Sequence, residues 1–322
     1  MILTIGYAAF STNLNITAKG NIKTKDITDD IVTDGDGLYK DPYEEGRYIY
    51  RGSNPDNYIW FNDELWRIIA KEKDGTYKII RDELLPQNSS YTKIAYDESN
   101  FRSTTNNTYC TKPWDGCGVF AAVSNTFRTP DEKYSGTVTE DSSIKIYLNN
   151  DYYVNDINST AKEQMTSHSF NIGAVEFLDE SGGDSIEKNI AGEKMYTWTG
   201  NVGLVNVSDF LKASLNQQCT SLTKQFEAMK EENIICDLNF LLELPEETRY
   251  WTINATSFES DDMSNYAWRI QRLGNLSAIV NNRVFFAGYD GIRPVVFLKS
   301  STKLTGHGTK DNPYQILENT SN

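Results

Sequence analysis

Residues 47–85 constrain this chain more than any other stretch. RYIYRGSNPDNYIWFNDELWRIIAKEKDGTYKIIRDELL carries three β-forming runs broken by turn residues. Tyr58 to Phe61 and Leu65 to Ile69 flank Asn62-Asp63-Glu64, and Thr76 to Ile80 follows Asp74-Gly75. β-Branched and aromatic residues interrupted this closely by Asn, Asp and Gly predict an antiparallel meander, entered through a turn at Ser53-Asn54-Pro55-Asp56. Trp60, Trp66 and Ile68 are expected to supply its core. A second signal lies near the other end. Val295-Val296-Phe297-Leu298 is an unbroken apolar run, the pattern of a strand buried on both faces. With a side-chain period of two, Val295 and Phe297 share one face and Val296 and Leu298 the other.

Between these ends the pattern is helical and irregular. Ser142-Ser143 can cap a helix carrying Ile144, Tyr147 and Leu148 and ended by Asn149-Asn150. STAKEQMTSH (residues 159–168) suggests another short helix. Val202 to Val207 reads as a strand, and Ser208-Asp209 as a cap before FLKASL. TSLTKQFEAMKEE (residues 220–232) reads as a helix or a polar surface excursion. Strands return at Tyr250 to Ile253, Tyr266 to Ile270, Arg283 to Phe286 and Ile292 to Leu298. Strands first, short helices in the middle and strands last indicate an α+β fold with the two terminal groups of strands in one sheet. Residues 86–141, rich in Ser, Thr, Asn and Gly, read as a long, irregular, surface-lying insertion. With 39% hydrophobic residues, 19 Tyr, 14 Phe and 6 Trp, a chain of 322 residues can fill a sizeable core. The expected organisation is one domain over residues 37–317, a polar N-terminal segment over 1–36 and a tail over 318–322.

A formal net charge of −14 narrows the partners. Nucleic acid needs a basic footprint, which is not visible here, and an anionic membrane surface repels such a chain. MILTIGYAAF at the start is apolar but far short of the roughly 20 residues that span a bilayer, and it lacks a basic n-region. It reads either as a first buried strand or as the end of an export or anchor segment, and the second is the expectation. Membrane contact would then run only through such an anchor. The polar residues that follow suit a solvated stalk or a peripheral strand better than core.

Four cysteines, Cys110, Cys117, Cys219 and Cys236, stand beside only two histidines. Neither local pair has the two-residue spacing of a zinc knuckle, so two disulfides and an oxidising compartment are expected, with no metal. Locality favours Cys110 with Cys117, across TKPWDG, and Cys219 with Cys236, around the polar excursion. Each bond would close an insertion at its base.

Chemistry-bearing patterns are sparse. Ser-x-x-Lys recurs at chance level, as at Ser90 to Lys93, Ser221 to Lys224 and Ser300 to Lys303, without the companion motifs of penicillin-recognising enzymes. His168 sits at an expected helix end and His307 in a Gly-flanked turn, neither with a carboxylate at triad spacing. Asp34-Gly35-Asp36-Gly37 begins like a calcium loop, but Leu38 occupies the fifth position, and an incidental acidic turn is expected. A glycosidase carboxylate pair would be invisible among 45 Asp and Glu. The candidate ligand-binding residues are Trp251, Tyr266, Trp268 and Tyr289, rings among Asn, Ser and Arg that would either grip a sugar or protein or fill a sheet core. Arg269, Arg272, Arg283 and Arg293 are expected to pair with carboxylates.

Several segments carry a resemblance. GYAAFSTNLNITAKGNI (residues 6–22) resembles the signal-segment end and mature start of surface proteins from Gram-positive gut bacteria. YIWFNDELWRII, KDGTYKIIR, SIKIYLNNDYY, VGLVNVSDFLKAS, RYWTI and GIRPVVFLKS, in that order, resemble an uncharacterised bacterial surface-domain family over roughly residues 37–317. GIRPVVFL is similar to the closing strand of the C-type-lectin-like fold, including its formylglycine-generating-enzyme branch. The resemblance implies a C-type-lectin-like α+β domain with antiparallel sheets, short helices and long loop insertions, exposed on a bacterial surface. The Glu-Pro-Asn and Trp-Asn-Asp calcium motifs of sugar-binding lectins are missing. Cys236 lies too early to match the copper-holding cysteines of the enzyme branch. Neither activity carries over, and no cofactor is implied. The expectation is a non-catalytic extracellular binding or adhesion module for a protein or glycan ligand. The rival readings are an extracellular hydrolase and a structural fibre or envelope subunit.

Overall fold

A computed structural model describes residues 24–86, 96, 118–128, 130, 135–176, 185–216, 219–222, 236, 238–245, 247–257, 266–273, 276–283 and 290–317. Cys110, Cys117 and Tyr289 lie outside them, as do most of residues 86–117 and of the 220–232 excursion. The strands are β1 (Gly37–Lys40), β2 (Tyr48–Arg51), β3 (Tyr58–Phe61), β4 (Glu64–Lys71), β5 (Tyr77–Arg81), β6 (Thr126–Arg128), β7 (Ser135–Thr137), β8 (His168–Asn171), β9 (Val175–Glu176), β10 (Thr197–Gly200), β11 (Thr248–Ser257), β12 (Tyr266–Leu273), β13 (Leu276–Arg283), β14 (Val295–Leu298), β15 (Leu304–Thr305) and β16 (Tyr314–Ile316). The helices are α1 (Ser143–Ile146), α2 (Tyr153–Asn155), α3 (Ser159–Gln164), α4 (Ile186–Glu193) and α5 (Val207–Ala213).

The expected meander is present. β3, β4 and β5 pair in sequence, antiparallel. Asn62 and Asp63 turn the chain with φ of 55° and 62°, the left-handed pair that matches strand twist. Asn62 holds the turn by donating to the Asp156 carbonyl and accepting from the Asn158 N–H. β14 pairs antiparallel with β5, and β16 runs parallel to β3, so strands from both ends of the chain share one eight-stranded sheet. All four residues of β14 are buried, as the apolar run requires. Trp66 and Ile68 are core residues, whereas Trp60 is 42% exposed. Trp60 shares a face with Tyr58, and only Tyr58 is covered there, by the Arg67 guanidinium 3.9 Å from its ring centre.

This sheet curls until its edges are joined. β2 and β3 both lie on the edge of β4 opposite β5, splayed around a bulge between Ile68 and Ala70. Buried Asn57 fills the fork, bonding Ile68 through both its backbone carbonyl and its side-chain amide. From β2 the sheet continues to β1, and from β3 to β16 and β15. The gap between β1 and β15 is spanned by residues 25–32: Lys25 bridges Leu304, and Ile31 bridges Leu38. Between these bridges a 3-10 turn, Ile27–Asp30, capped by Asp26, points Ile27 into the core with no exposed surface. The polar segment, expected as a solvated stalk or a peripheral strand, is therefore, over its described part, a bridging stave that closes the ring and, against expectation, gives Ile27 to the core. Asp36 adds to this by accepting from the N–H groups of Ser53 and Asn54. Its carboxylate sits where a side chain at Gly52 (φ 109°) would stand, so that position needs glycine.

A second sheet runs β13-β12-β11-β9, three long antiparallel strands with β9 parallel to the end of β11. It joins the ring where Tyr250 bridges Gly291, just before β14. α5 packs on β2 of the ring and β11 of the second sheet. Residues 118–128, expected on a surface insertion, also feed the core, with Val119, Phe120 and Phe127 fully buried. Ser142 caps α1 as expected, but the helix does not stop at Asn149-Asn150. It widens to a π-helix over Tyr147–Tyr152 and continues through α2, because the Asn149 amide bonds Lys145 and Val202 instead of ending the chain's helical path. α3 forms within STAKEQ, capped by Asn158. Val202 to Val207 makes only a bridge, Gly203 to Val295, before α5 begins. The cap of α5 is Asn206, two residues earlier than expected, with Asp209 completing a capping box. β13 lies earlier than the expected Arg283 to Phe286 strand, and residues 284–286 are outside the described set.

Candidate functional site

Arginines inside strand-forming runs are the starting point, since a buried guanidinium must find acceptors. Three hold the segments that follow β5 and precede β11. Arg67 (LWRI) has no exposed surface. Its Nε donates to Asn57 Oδ1 (2.6 Å) and its Nη1 to the Tyr58 hydroxyl (2.8 Å) and to Glu243. Asp82 stands 3.8 Å from the same nitrogen. The guanidinium lies between the Tyr58 ring, 3.9 Å away, and that of Phe240, 5.1 Å away. Arg81 (IIRD) pairs with Glu64 and donates to the Glu83 and Leu84 carbonyls. Arg293 (GIRP) donates to the carbonyls of Arg81 and Leu241 and reaches the Tyr250 hydroxyl.

These contacts shape a cleft of about 620 Å³. One wall is Asp82 to Pro86, the segment that leaves β5; the other is Glu243 to Pro245 and Thr248, which lead into β11. Arg272 of β12 and Lys310, from the turn between β15 and β16, close the ends. Leu84, Leu85, Pro86, Leu244 and Pro245 give an apolar lining against three carboxylates and two cations. Arg272 is committed to the carbonyls of Leu242 and Leu244, and Lys310 lies 5.7 Å over the outer face of the Tyr58 ring. Burial pushes the Tyr58 hydroxyl up to about 12, against the pull of Arg67. It remains a proton donor, directed at Glu243. Compared with protein-family models, curated proteins and solved structures, this chain shows no match. The cleft therefore has to be read from its own chemistry.

Trp251 and Trp268, with 0% and 2% of their surface exposed, fill the second sheet's core instead of offering rings to a ligand. Trp251 meets Tyr96 edge to face, and Trp268 Nε1 donates to the Val175 carbonyl. Tyr266 is half-buried at the start of β12, and Tyr289 is outside the described residues. The four are thus not assembled into one surface by anything described. Arg269 pairs with Asp290 at 2.7 Å as expected, while Arg272 and Arg293 bond carbonyls instead of carboxylates. His168 begins β8 instead of ending a helix. Its Nε2 is 3.1 Å from Asp74, its Nδ1 faces the Ser169 carbonyl, and its ring stacks on Phe297. Both ring nitrogens are engaged, which is a packing role. The bond between Cys219 and Cys236 is formed, with Cα atoms 5.6 Å apart. Among the described residues no group of His, Cys, Asp or Glu is arranged to hold a metal ion, and no helix is long and apolar enough to cross a membrane.

Proposed function

We propose that this chain is an extracellular binding module of C-type-lectin-like fold that takes a segment of a protein or glycan into the cleft between its two sheets. One observation carries the reading. The buried Arg67 fixes Glu243 and Asp82 from beneath, so the cleft presents prearranged acceptors beside an apolar wall. Prearranged polar groups in an apolar cleft are what binding without chemistry requires, because little ordering remains to be done on association. The net charge of −14 favours a ligand carrying cations. The fold assignment is supported by the buried closing strand β14 and by the sharing of one sheet between the two ends of the chain. The Cys219–Cys236 bond supports an oxidising compartment.

A hydrolase is the second reading, and one observation favours it: two carboxylates converge on a single nitrogen at the floor of a cleft. A protein and glycan array, probed with the purified chain after removal of divalent metals, distinguishes the two. Binding is expected to persist without metal. Glu243→Ala is expected to weaken it by roughly tenfold, about 1.4 kcal/mol. Turnover of glycosides or peptides that disappears with Asp82→Asn or Glu243→Gln would replace the binding reading with the hydrolase.

A further inference from the structure

A buried ionic cluster ties α5 to the β1–β2 connection and to β5, apart from the cleft. Arg47 meets Asp41, Glu72 and Asp209 at 2.8, 2.9 and 2.6 Å. Lys78 meets Asp209 at 2.6 Å, Lys212 meets Asp41 at 2.8 Å and also reaches Glu44, and Lys194 meets Glu44 at 2.6 Å. Four cations thus face four carboxylates, and each touches an opposite charge.

Glu193, the last residue of α4, is a fifth carboxyl at the edge of this cluster and is 1% exposed. Its hydrogen-bond partners belong to Ser208: the N–H at 2.8 Å and the hydroxyl at 2.6 Å. Among the described residues no Lys or Arg nitrogen comes within ion-pair distance of it. The charged groups of α5 that bear on it are Asp209, which opposes ionisation, and Lys212, which favours it but is held by Asp41 and Glu44. On α4, Lys194 is drawn to Glu44, and the buried Asn189 one turn earlier has an unpartnered Nδ2. β9, packed on α4, carries Glu176. Burial, with Asp209 behind it, pushes the Glu193 carboxyl up to about 7.

We propose that Glu193 is a protonation switch at the junction of α4 and α5. When neutral, it accepts from the Ser208 N–H and donates its own proton to the Ser208 hydroxyl. When it ionises, the hydroxyl turns to donate, and one unmatched negative charge is added to a cluster already in balance. In both states Glu193 stays bonded to the Ser208 N–H and hydroxyl, so the switch acts chiefly through charge. The junction is tightest in mild acid and loosens as the pH rises past neutrality.

The sign follows from proton linkage. The folded carboxyl holds its proton up to about 7 and the unfolded one only to about 4.5. Its stabilising contribution is therefore complete below the unfolded value and is lost as pH rises through the folded one. Urea unfolding of the full chain from pH 5 to 8 reads this directly. The ratio of folding constants, wild type over Glu193→Gln, is expected to fall on the order of 50- to 100-fold across that range. Parallel profiles for the two proteins would overturn the switch. If the glutamine variant does not fold, carboxyl-carbon NMR of the wild-type chain decides. A Glu193 titration centred near neutrality supports the proposal, and one in the ordinary carboxylate range overturns it.

Discussion

Arg67 acts on this fold through what its loss would leave behind. With the guanidinium gone, Asn57 Oδ1 loses its donor, and Tyr58 and Glu243 lose the cation that orients them. Arg67→Met is expected to cost about 3–5 kcal/mol in urea unfolding at neutral pH, the range for breaking a buried charged network from one side. Arg67→Lys should recover little, because a single ammonium cannot serve a forked set of acceptors. Glu44 gives a pH test of opposite sign to that of Glu193. Its carboxyl is partly buried, yet Lys212, Arg47 and Lys194 pull it down to about 2. The stability it contributes is present above about 4.5 and lost as the pH falls toward 2. Glu44→Gln should flatten that part of the acid-unfolding curve. Little of this was legible beforehand. The three arginines stood in plain view within LWRI, IIRD and GIRP, where a charge interrupts an apolar run. Glu243, however, is 176 residues from Arg67, and no local spacing joins them. The tryptophans were easier to notice and less informative, since a ring on a strand is first of all core.

Secondary structure elements were most legible where alternation and turn chemistry agreed. β3 to β5 follow from Asn62-Asp63 and Asp74-Gly75, and β14 from four apolar residues in a row. Phe297 carries the test of that strand. It packs against Phe170 and under His168, so Phe297→Ala is expected to cost about 3–5 kcal/mol by denaturant unfolding. Elements were misread where a distant partner overrules local preference. Asn149 looks like a helix stop, but its amide is claimed by Val202 across the fold, and the helix runs on as a π-turn. Ser208 looks like the cap of α5, but its hydroxyl and N–H serve Glu193, which leaves Asn206 to do the capping. The Cys219–Cys236 bond was legible from locality alone. It spans a separation of 17 residues, so replacing both cysteines with serine should lower stability by about 3 kcal/mol if loop entropy dominates.

At the scale of the whole molecule, the sharing of one sheet by both ends of the chain followed from the order of elements, and its closure did not. Nothing in ITDDIV marks Ile27 as core, because Ile27, Ile31 and Val32 are too few to set a period, and of the two isoleucines Ile27 is buried while Ile31 is 37% exposed. Deleting residues 1–36 is expected to abolish cooperative unfolding of the ring, which calorimetry would register. Ile27→Ala alone should cost about 2–5 kcal/mol. The closure also decides how the molecule carries load. Lys25 lies against one side of β15 and Ile316 against the other, so these two ends of the described chain stand about 10 Å apart, two strand spacings. Tension applied between the sequence upstream of Thr24 and that downstream of Leu317 runs through this one short strand. It bypasses the second sheet and the facing walls of the cleft, which would keep their shape under pull until β15 gave way, whereas Lys310, between β15 and β16, would feel the load first.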